Sequence, residues 1–262
     1  MTPILVFDIE TIPDVEGLRR VWGLPPEVSD AGVVDLASQR RRQATGSDFL
    51  PHYLQRVVAI SCALRSSEGV RVWTLGGEQD SEREIVKRFF DGIEKYTPQL
   101  VSWNGSGFDL PVLHYRALFH AIPGCCYWDT GDNNKDFKWN NYLSRFHARH
   151  TDLMDVLAGF QNRAFAPLDE IAQLCGFPGK LGMDGSQVYA AFKRGEIKAI
   201  RDYCETDVAN TLLLFQRFQL IRGALDTVGY EREIAVFREW LSQQTSPHWQ
   251  EFSAAWKLPA TS

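Results

Sequence analysis

The stretch ILVFDIET, residues 4 to 11, constrains the fold of this chain more than any other. Four apolar residues run directly into Asp8, and Glu10 follows one residue later. A strand that is apolar on both faces is buried between layers, as the strands of α/β proteins are. Residues i and i+2 of a strand point to the same face, so the two carboxylates lie side by side. Their repulsion is relieved either at a solvated strand end or by a divalent cation. The spacing Asp-x-Glu recurs at residues 14/16 and 80/82, so context rather than spacing makes this pair a candidate site.

The remaining pattern predicts an α/β fold with a mixed central sheet flanked by helices. The first strand covers residues 3–9, and further strands are predicted over residues 57–64, 70–75 and 99–103. Helices are predicted over residues 81–96, 110–120, 151–160, 168–174, 187–193, 196–222 and 231–243. Ser81, with Glu84 three residues on, is the expected N-cap of the first helix. Residues 13–56 and 123–149 fit none of these layers and are predicted to be long loop insertions.

Composition excludes several classes of protein. The 262 residues, 44% of them hydrophobic, are enough for a sizeable core, and we expect a main domain over residues 1–223 with a helical extension, 224–262, packed on it. Five cysteines without a C-x-x-C motif argue against a disulfide framework and a thiolate zinc site. With no visible signal peptide and no run long enough to span a membrane, we expect a soluble cytoplasmic protein. The net charge of −5 excludes an overall basic surface, so contact with nucleic acid would need a local patch.

Two further stretches place acidic side chains where their elements expose them. In NGSGFDLPVL, residues 104–113, Asp109 stands at the start of a predicted helix, where the helix dipole alone also favours a carboxylate. In RDYCETDVANT, residues 201–211, Tyr203 and Asp207 are four residues apart on one inward face of a helix. A buried aspartate needs a partner, and a lysine, an arginine or a metal ion would each serve.

Taken together, FDIET, NGSGFDLP and YCETD resemble the three exonuclease motifs of the proofreading domains of family B DNA polymerases, in the same order and with similar spacing. The chain is thus similar to the DEDD superfamily of 3′–5′ exonucleases, in the subgroup that carries a tyrosine (DEDDy). HTDLMDVL, LDEIAQLCGFPGKLGMDGSQV and YCETDVANTLLLFQRFQLIRG resemble stand-alone bacterial proteins described as predicted 3′–5′ exonucleases related to that domain. The resemblance covers most of residues 3–223. It implies a ribonuclease H-like 3′–5′ exonuclease domain over residues 1–223.

The resemblance also implies a set of ligands. Asp8, Glu10, Asp109 and Asp207 would hold two divalent ions, Mg²⁺ or Mn²⁺, with Asp8 between the two. Tyr203 would orient the attacking water, since its usual pKa near ~10 makes it a poor base at neutral pH. The implied reaction is hydrolysis of phosphodiester bonds at the 3′ ends of single-stranded nucleic acid.

Three further residues are candidates for contact with the substrate. Asn104, Phe108 and Thr11 are the expected contacts of the terminal nucleotide, although Phe108 is equally suited to core packing. The resemblance favours DNA as the substrate over RNA. An RNA-trimming exoribonuclease and a catalytically silent nucleic-acid-binding module are the alternatives. The chain is too short to include a polymerase, so any partnership in proofreading would be in trans.

Two stretches are candidates for a local nucleic-acid-binding patch. The loop over residues 126–150 interleaves aromatic side chains with bases such as Lys138 and Arg145, a mixture that suits a single strand. The alternative is a loop that packs its own aromatic residues. The basic run 40–42 is the second candidate, with a solvated charge run as its alternative. Asp152 is interpreted as a helix-end carboxylate rather than a fifth metal ligand.

Overall fold

A computed structural model of the protein describes residues 2–256. Within them a five-stranded sheet has the order β3-β2-β1-β4-β5. The strands are β1 Ile4–Pro13, β2 Gln55–Ser66, β3 Gly69–Thr74, β4 Gln99–Ser102 and β5 His150–Asp152. β2 is antiparallel to both of its neighbours, whereas β4 and β5 continue parallel to β1. This mixed sheet with helices on both faces confirms the predicted α/β, ribonuclease H-like fold class.

Helices form the layers on either side of the sheet. They are α1 Val15–Trp22, α2 Asp30–Thr45, α3 Glu82–Tyr96, α4 Asp109–His120, α5 Cys125–Trp128, α6 Leu153–Leu157, α7 Leu168–Leu174, α8 Val188–Lys193, α9 Ile197–Ile221, α10 Thr227–Ser242 and α11 Pro247–Ala255. The predicted cap of α3 is confirmed, because the Ser81 side chain accepts a hydrogen bond from the Glu84 backbone N–H. The predicted strands over residues 57–64 and 70–75 are confirmed as β2 and β3, which form a hairpin with Ser66 paired to Gly69 at its end.

The central position of β1 explains why it is apolar on both faces. Leu5, Phe7 and Ile9 enter the core beneath α3 and α4. Ile4 and Val6 enter the opposite core beneath α9. Alternate side chains of a strand point to opposite faces, so a strand covered by two helical layers must be apolar at successive positions.

The prediction that residues 13–56 form a long loop is wrong. This stretch contains α1 and α2, each begun by a side chain that caps it: Asp14 accepts from the Gly17 N–H and Ser29 from the Gly32 N–H. Their narrow apolar stripes pack in a small separate core made by Leu18, Val33, Ala37, Leu50 and Leu54. The sequence pattern does not reveal these helices, because half of their residues are polar and they bury side chains mainly against each other. Residues 123–149 do remain largely irregular, apart from α5 and one 3₁₀ turn over Lys135–Lys138.

The prediction of a continuous helix over residues 151–160 is also wrong. His150–Asp152 forms the edge strand β5, paired with β4, and only Leu153–Leu157 is helical. A strand of three residues is too short to show an alternating pattern, so the sequence shows only the helical pattern of the residues that follow it.

The chain ends, as far as it is described, in two helices that pack on the body. α10 and α11 both contact α9, and Phe237, Trp249 and Phe252 are buried there. A buried ion pair joins α10 to β2, with Arg65 Nε 2.6 Å from Glu233 Oε2. The predicted extension 224–262 lies partly outside the described residues, which stop at 256, and its boundary at 223 stays a prediction. Within residues 2–256 no helix combines the length and the apolar character needed to cross a membrane.

Candidate active site

A cleft of about 490 Å³ lies where β1 runs past the end of β4. Seven of the eight residues predicted for the site line it, namely Asp8, Glu10, Asn104, Phe108, Asp109, Tyr203 and Asp207. Other parts of the wall are apolar, formed by Trp103, Met154, Phe165, Ala166, Pro167 and Leu168. Folding therefore brings together carboxylates that the chain carries up to about two hundred residues apart.

The unequal lengths of β1 and β4 place Asp109 beside the first two carboxylates. β4 pairs with β1 only as far as Val6, so the next part of β1 has no neighbouring strand on that side. The Ile9 backbone N–H, between Asp8 and Glu10, instead donates to Asp109 Oδ1 at 3.0 Å. Asp109 is also the first residue of α4. This hydrogen bond thus gives the unpaired Ile9 N–H of β1 an acceptor and holds a third acidic side chain beside Asp8 and Glu10.

The turn before α4 is held by Asp152 at the end of β5. Its Oδ1 accepts from the Asn104 N–H at 2.9 Å and its Oδ2 accepts from the Ser106 N–H at 2.8 Å. The same carboxylate caps α6 by accepting from the Met154 N–H. Asn104 has a positive φ of 65°, a conformation that asparagine tolerates better than most residues. Asp152 is therefore the expected helix-end carboxylate, and it also fixes the backbone of the turn at the cleft.

The fourth carboxylate comes from α9. Tyr203 and Asp207 point from one face of this helix into the cleft, as their spacing predicts. Lys180 approaches both: its Nζ lies 2.6 Å from Tyr203 Oη and 3.9 Å from Asp207 Oδ2. Asp207 Oδ1 is buried and has no hydrogen-bond partner. Lys180 therefore compensates Asp207 only in part.

Two cleft-side residues were not predicted as site residues. Lys180 lies in the loop after α7, and its sequence gives no signal of where the side chain points. Cys204 follows Tyr203 in the YCETD motif, and its Sγ lies 3.6 Å from Asp8 Oδ2. The potential ligand atoms of Asp8, Glu10 and Cys204 all lie within 4.8 Å of one another. Burial raises the pKa of the Cys204 thiol, so the thiol stays protonated and is a weak donor to Asp8.

The electrostatics of the cleft are those of crowded acids. Burial, followed by the charges of the other carboxylates, raises the pKa of Asp8 well above its usual value. Burial and the Asp207 charge do the same to Glu10. Burial raises the pKa of Asp109 to about 7 and, against the opposing effect of Lys180, that of Asp207 to about 6. A divalent cation would relieve both the repulsion and the unpartnered Asp207 oxygen, so these residues fit an oxygen-ligated metal ion.

Thr11 is the one predicted site residue that lies outside the lining of the cleft. The pairing of β1 with β2 shifts register between Glu10 and Thr11. The Thr11 hydroxyl donates to Gln55 Oε1 at 3.1 Å. Its proposed contact with substrate stays a prediction.

The loop over residues 126–150 buries half of its six aromatic rings and leaves Trp128, Trp139 and Phe146 46–79% exposed. Tyr127, Phe137 and Tyr142 are buried in the core, which removes them as stacking surfaces for bases. Arg145 is paired with Asp155 at 2.9 Å. Lys138 remains exposed next to Trp139.

The basic run 40–42 lies on α2. The Arg40 guanidinium stacks 4.8 Å from the centre of the Trp22 ring, and Arg42 is paired with Asp48 at 2.5 Å. Arg41 donates to the Phe49 carbonyl oxygen, so all three side chains of this helical run have local partners, and within residues 2–256 only Arg42 among them is in an ion pair.

Comparison with known proteins gives a family and two relatives. A DNA polymerase of Archaeoglobus fulgidus is 26% identical over 136 residues, 51% of this chain and 17% of the polymerase. DNA polymerase 1 of Sulfurisphaera ohwakuensis is 53% identical over 38 residues, 14% of this chain and 4% of that protein. The chain therefore spans less than a fifth of either polymerase.

Among solved structures, the family B DNA polymerase of Pyrobaculum calidifontis is similar over 81% of this chain and 24% of that one, with a TM-score of 0.48 and 19% identity. The family model that matches residues 47–256 has the description of a predicted 3′–5′ exonuclease related to the exonuclease domain of PolB. Because the match covers most of the sequence, this chain belongs to that family of PolB-related 3′–5′ exonucleases.

Proposed function

We propose that this protein is a metal-dependent exonuclease that hydrolyses phosphodiester bonds at the 3′ ends of single-stranded nucleic acid, with DNA as the preferred substrate. The observation that carries the proposal is the convergence of Asp8, Glu10, Asp109 and Asp207 in one cleft beside the Tyr203 hydroxyl. Membership in the exonuclease family and the relatedness of this chain to DNA polymerases support the reaction and the choice of DNA.

The four carboxylates would hold two divalent ions. Asp8, Glu10 and Asp207 would hold the ion on the side of the attacking water, and Asp8 with Asp109 the ion on the side of the leaving oxygen. Carboxylate ligands and water favour Mg²⁺ or Mn²⁺ over softer metals. When bound, such a pair of ions lowers the pKa of water and neutralises charge on the leaving 3′ oxygen.

Tyr203 is suited to orient water and not to take up its proton. Burial and the charges of Asp207, Glu10 and Asp8 raise the pKa of Tyr203 above its ordinary value, so its hydroxyl stays protonated at neutral pH. Lys180 Nζ donates to Tyr203 Oη at 2.6 Å. Because the lysine occupies an acceptor site of Oη, the hydroxyl proton is left to donate to another oxygen in the cleft. Lys180 is thus a positioning residue for Tyr203.

The terminal nucleotide would lie between the carboxylates and the turn before α4. The Asn104 side chain and the Phe108 ring both line the cleft there. An amide can hydrogen-bond a base or sugar, and a phenyl ring can stack on a base without regard to its identity. Thr11, whose hydroxyl donates to Gln55 outside the lining of the cleft, is the third candidate for this contact.

Tyr203→Phe is expected to lower kcat by about 10- to 100-fold and to change KM little, because the ring is kept and only the orienting hydroxyl is lost. Steady-state hydrolysis of a labelled oligonucleotide measures both parameters. Tyr189→Phe is the matched control, since Tyr189 packs in the same apolar cluster as Tyr203 but is absent from the cleft lining. Wild-type kcat in Tyr203→Phe would remove the hydroxyl from the reaction.

The proposed function is tested with 5′-labelled single-stranded DNA and RNA, each incubated with Mg²⁺, Mn²⁺ or a chelator. Stepwise loss of nucleotides from the 3′ end, in metal only and faster on DNA, is the expected result. Faster shortening of RNA would identify an exoribonuclease instead. Binding without shortening in any metal would identify a nucleic-acid-binding module and refute the enzyme.

A further inference from the structure

A row of aromatic side chains begins at Phe108 in the cleft and continues over four exposed rings that have no role in the function proposed above. We define the aromatic strip as Phe49, Tyr53, Phe108, Tyr115 and Phe119. Phe108 lines the cleft, and the other four side chains are 47–55% exposed. Large apolar groups gathered on a protein surface commonly mark a binding site, because leaving them in water has a free-energy cost.

The strip is continuous with the cleft. The ring of Phe49 lies 5.5 Å from that of Phe108 at an interplanar angle of 58°. The ring of Tyr53 lies 6.0 Å from that of Tyr115 at 72°. Neither pair is stacked face to face, so each pair leaves flat ring surface that its members do not cover. Tyr115 follows Phe108 by seven residues, or about 10 Å along α4. The strip therefore leads away from the carboxylates along this helix.

Two arginines flank the strip without a competing carboxylate. Arg41 Nε donates to the Phe49 carbonyl oxygen at 3.1 Å. The Arg20 guanidinium lies 5.6 Å from the centre of the Phe119 ring, which the buried Arg116 guanidinium also covers at 4.5 Å, so Phe119 offers no free face for a base. Among residues 2–256 neither guanidinium forms an ion pair, whereas the nearby Asp48 is already paired with Arg42. Positive charge beside uncovered aromatic faces is the combination that binds a single-stranded polyanion.

We propose that the aromatic strip binds the nucleotides that precede the 3′-terminal one, with their bases on Phe49, Tyr53 and Tyr115 and their phosphates near Arg41 and Arg20. This proposal rests on the proposed function, since the strip receives the strand whose end lies in the cleft. The ligand is single-stranded because paired bases do not expose their faces to side chains. Arg20 and Arg41 both precede the residues that the family model matches, 47–256, so part of this surface is supplied by α1 and α2.

The charge and position of the strip favour nucleic acid over another protein. The loop over residues 126–150, the other candidate surface, has three of its six aromatic rings buried in the core. Its exposed rings, Trp128, Trp139 and Phe146, are absent from the lining of the carboxylate cleft. The Phe49–Phe108 contact joins the aromatic strip to the carboxylate cleft, where the 3′ end of a strand would lie. A surface that binds only another protein would not need this connection.

The test measures binding without hydrolysis. Fluorescence anisotropy of a 5′-labelled hexathymidylate in chelator gives the dissociation constant for each variant. Phe49→Ala and Tyr115→Ala are each expected to weaken binding by about tenfold, the usual effect of losing one stacking ring. Tyr96→Ala is the matched control, because Tyr96 is 50% exposed at the end of α3 and lies outside the strip; its affinity is expected to be that of the wild type. Circular dichroism checks that every variant is folded.

The charge is tested by the salt dependence of the same measurement. Arg41→Gln is expected to lower the slope of log Kd against log salt concentration by about 0.7, the value for one phosphate contact on a single strand. Arg232→Gln, an exposed arginine of α10, is the matched control and is expected to leave the slope unchanged.

Two outcomes would refute the proposal that the aromatic strip binds nucleic acid. Wild-type affinity in Phe49→Ala and Tyr115→Ala, while the wild type shortens DNA, refutes the strip and leaves the proposed function. If Phe49→Ala and Tyr115→Ala bind the oligonucleotide like the wild type but no longer self-associate in sedimentation, the aromatic strip is an interface between copies of this chain. By contrast, weakened binding in these variants of a protein that never shortens DNA supports the strip and refutes the exonuclease.

Discussion

Asp207→Asn is expected to lower kcat for removal of a 3′-terminal nucleotide by about a thousandfold or more. Asparagine keeps the shape of the side chain but removes a negative charge that would hold a divalent ion in place. An ion that is lost or displaced takes with it several kcal/mol of stabilisation of the transition state, and about 1.4 kcal/mol corresponds to each factor of ten. Single-turnover hydrolysis of a labelled oligonucleotide at saturating Mg²⁺ measures the loss.

The variant is expected to remain folded. Asp207 Oδ1 is buried without a hydrogen-bond partner, and the other acids of the cleft repel its charge. Removing the charge therefore costs the metal-free protein little, and circular dichroism and thermal unfolding should show a native molecule.

Asp202→Asn provides a matched control on the same helix. Asp202 is paired with Lys198 at 2.6 Å and is absent from the cleft lining. A change of less than about twofold in kcat is expected for this variant, in keeping with the small worth of surface ion pairs. Wild-type turnover in Asp207→Asn would exclude Asp207 from the active site.

The second large effect expected is on stability. Without metal, the free energy of unfolding should fall as pH rises from about 4 to about 7. The pKa of Asp207 is raised to about 6 and that of Asp109 to about 7 in the folded protein, from an ordinary value of 3.8. Between the ordinary and the raised value, the folded state binds more protons than the unfolded state, so stability decreases with pH. For Asp207 the decrease is on the order of 3 kcal/mol, complete above its raised pKa.

Urea unfolding in chelator at pH 5 and pH 8 measures this decrease. Asp207→Asn has no charge to lose at that position, so its stability should fall less between the two pH values than that of the wild type. An equal fall in both proteins would show that Asp207 does not titrate in this way.

Divalent metal is expected to restore the stability that the crowded acids remove. Mg²⁺ or Mn²⁺ at about a hundred times its dissociation constant should raise the free energy of unfolding by about 2.7 kcal/mol. The increase should be larger at pH 8 than at pH 5, because protons compete with the metal for the carboxylates. Asp8→Asn should lose most of the increase. An increase of the same size at both pH values, or in Asp8→Asn, would place the bound metal outside the cleft.

Much of this protein follows from local sequence patterns. The double-sided apolar run of β1 predicts a central strand, and the i, i+2 geometry of a strand sets Asp8 and Glu10 side by side. The one-turn spacing of Tyr203 and Asp207 likewise predicts a shared face of α9. Such relations hold within one element, because its backbone geometry fixes which side chains are neighbours.

Local patterns do not predict the helices α1 and α2 or the three-residue strand β5. None of these elements has a long periodic apolar pattern. The two helices are stabilised by packing in their small core, and β5 is stabilised by pairing with β4. The same applies to the loop over residues 126–150, where the sequence left open whether the aromatic rings face solvent or core.

Several contacts of the cleft were decided only by tertiary structure. Lys180 reaches Tyr203 across 23 residues, Asp109 reaches the Ile9 backbone across 100, and Cys204 reaches Asp8 across 196. Local patterns indicate which carboxylates share a face of one strand or one helix. Folding determined which other side chains meet them, because contacts between distant segments depend on how whole helices and strands pack, and no local period of the chain records that packing.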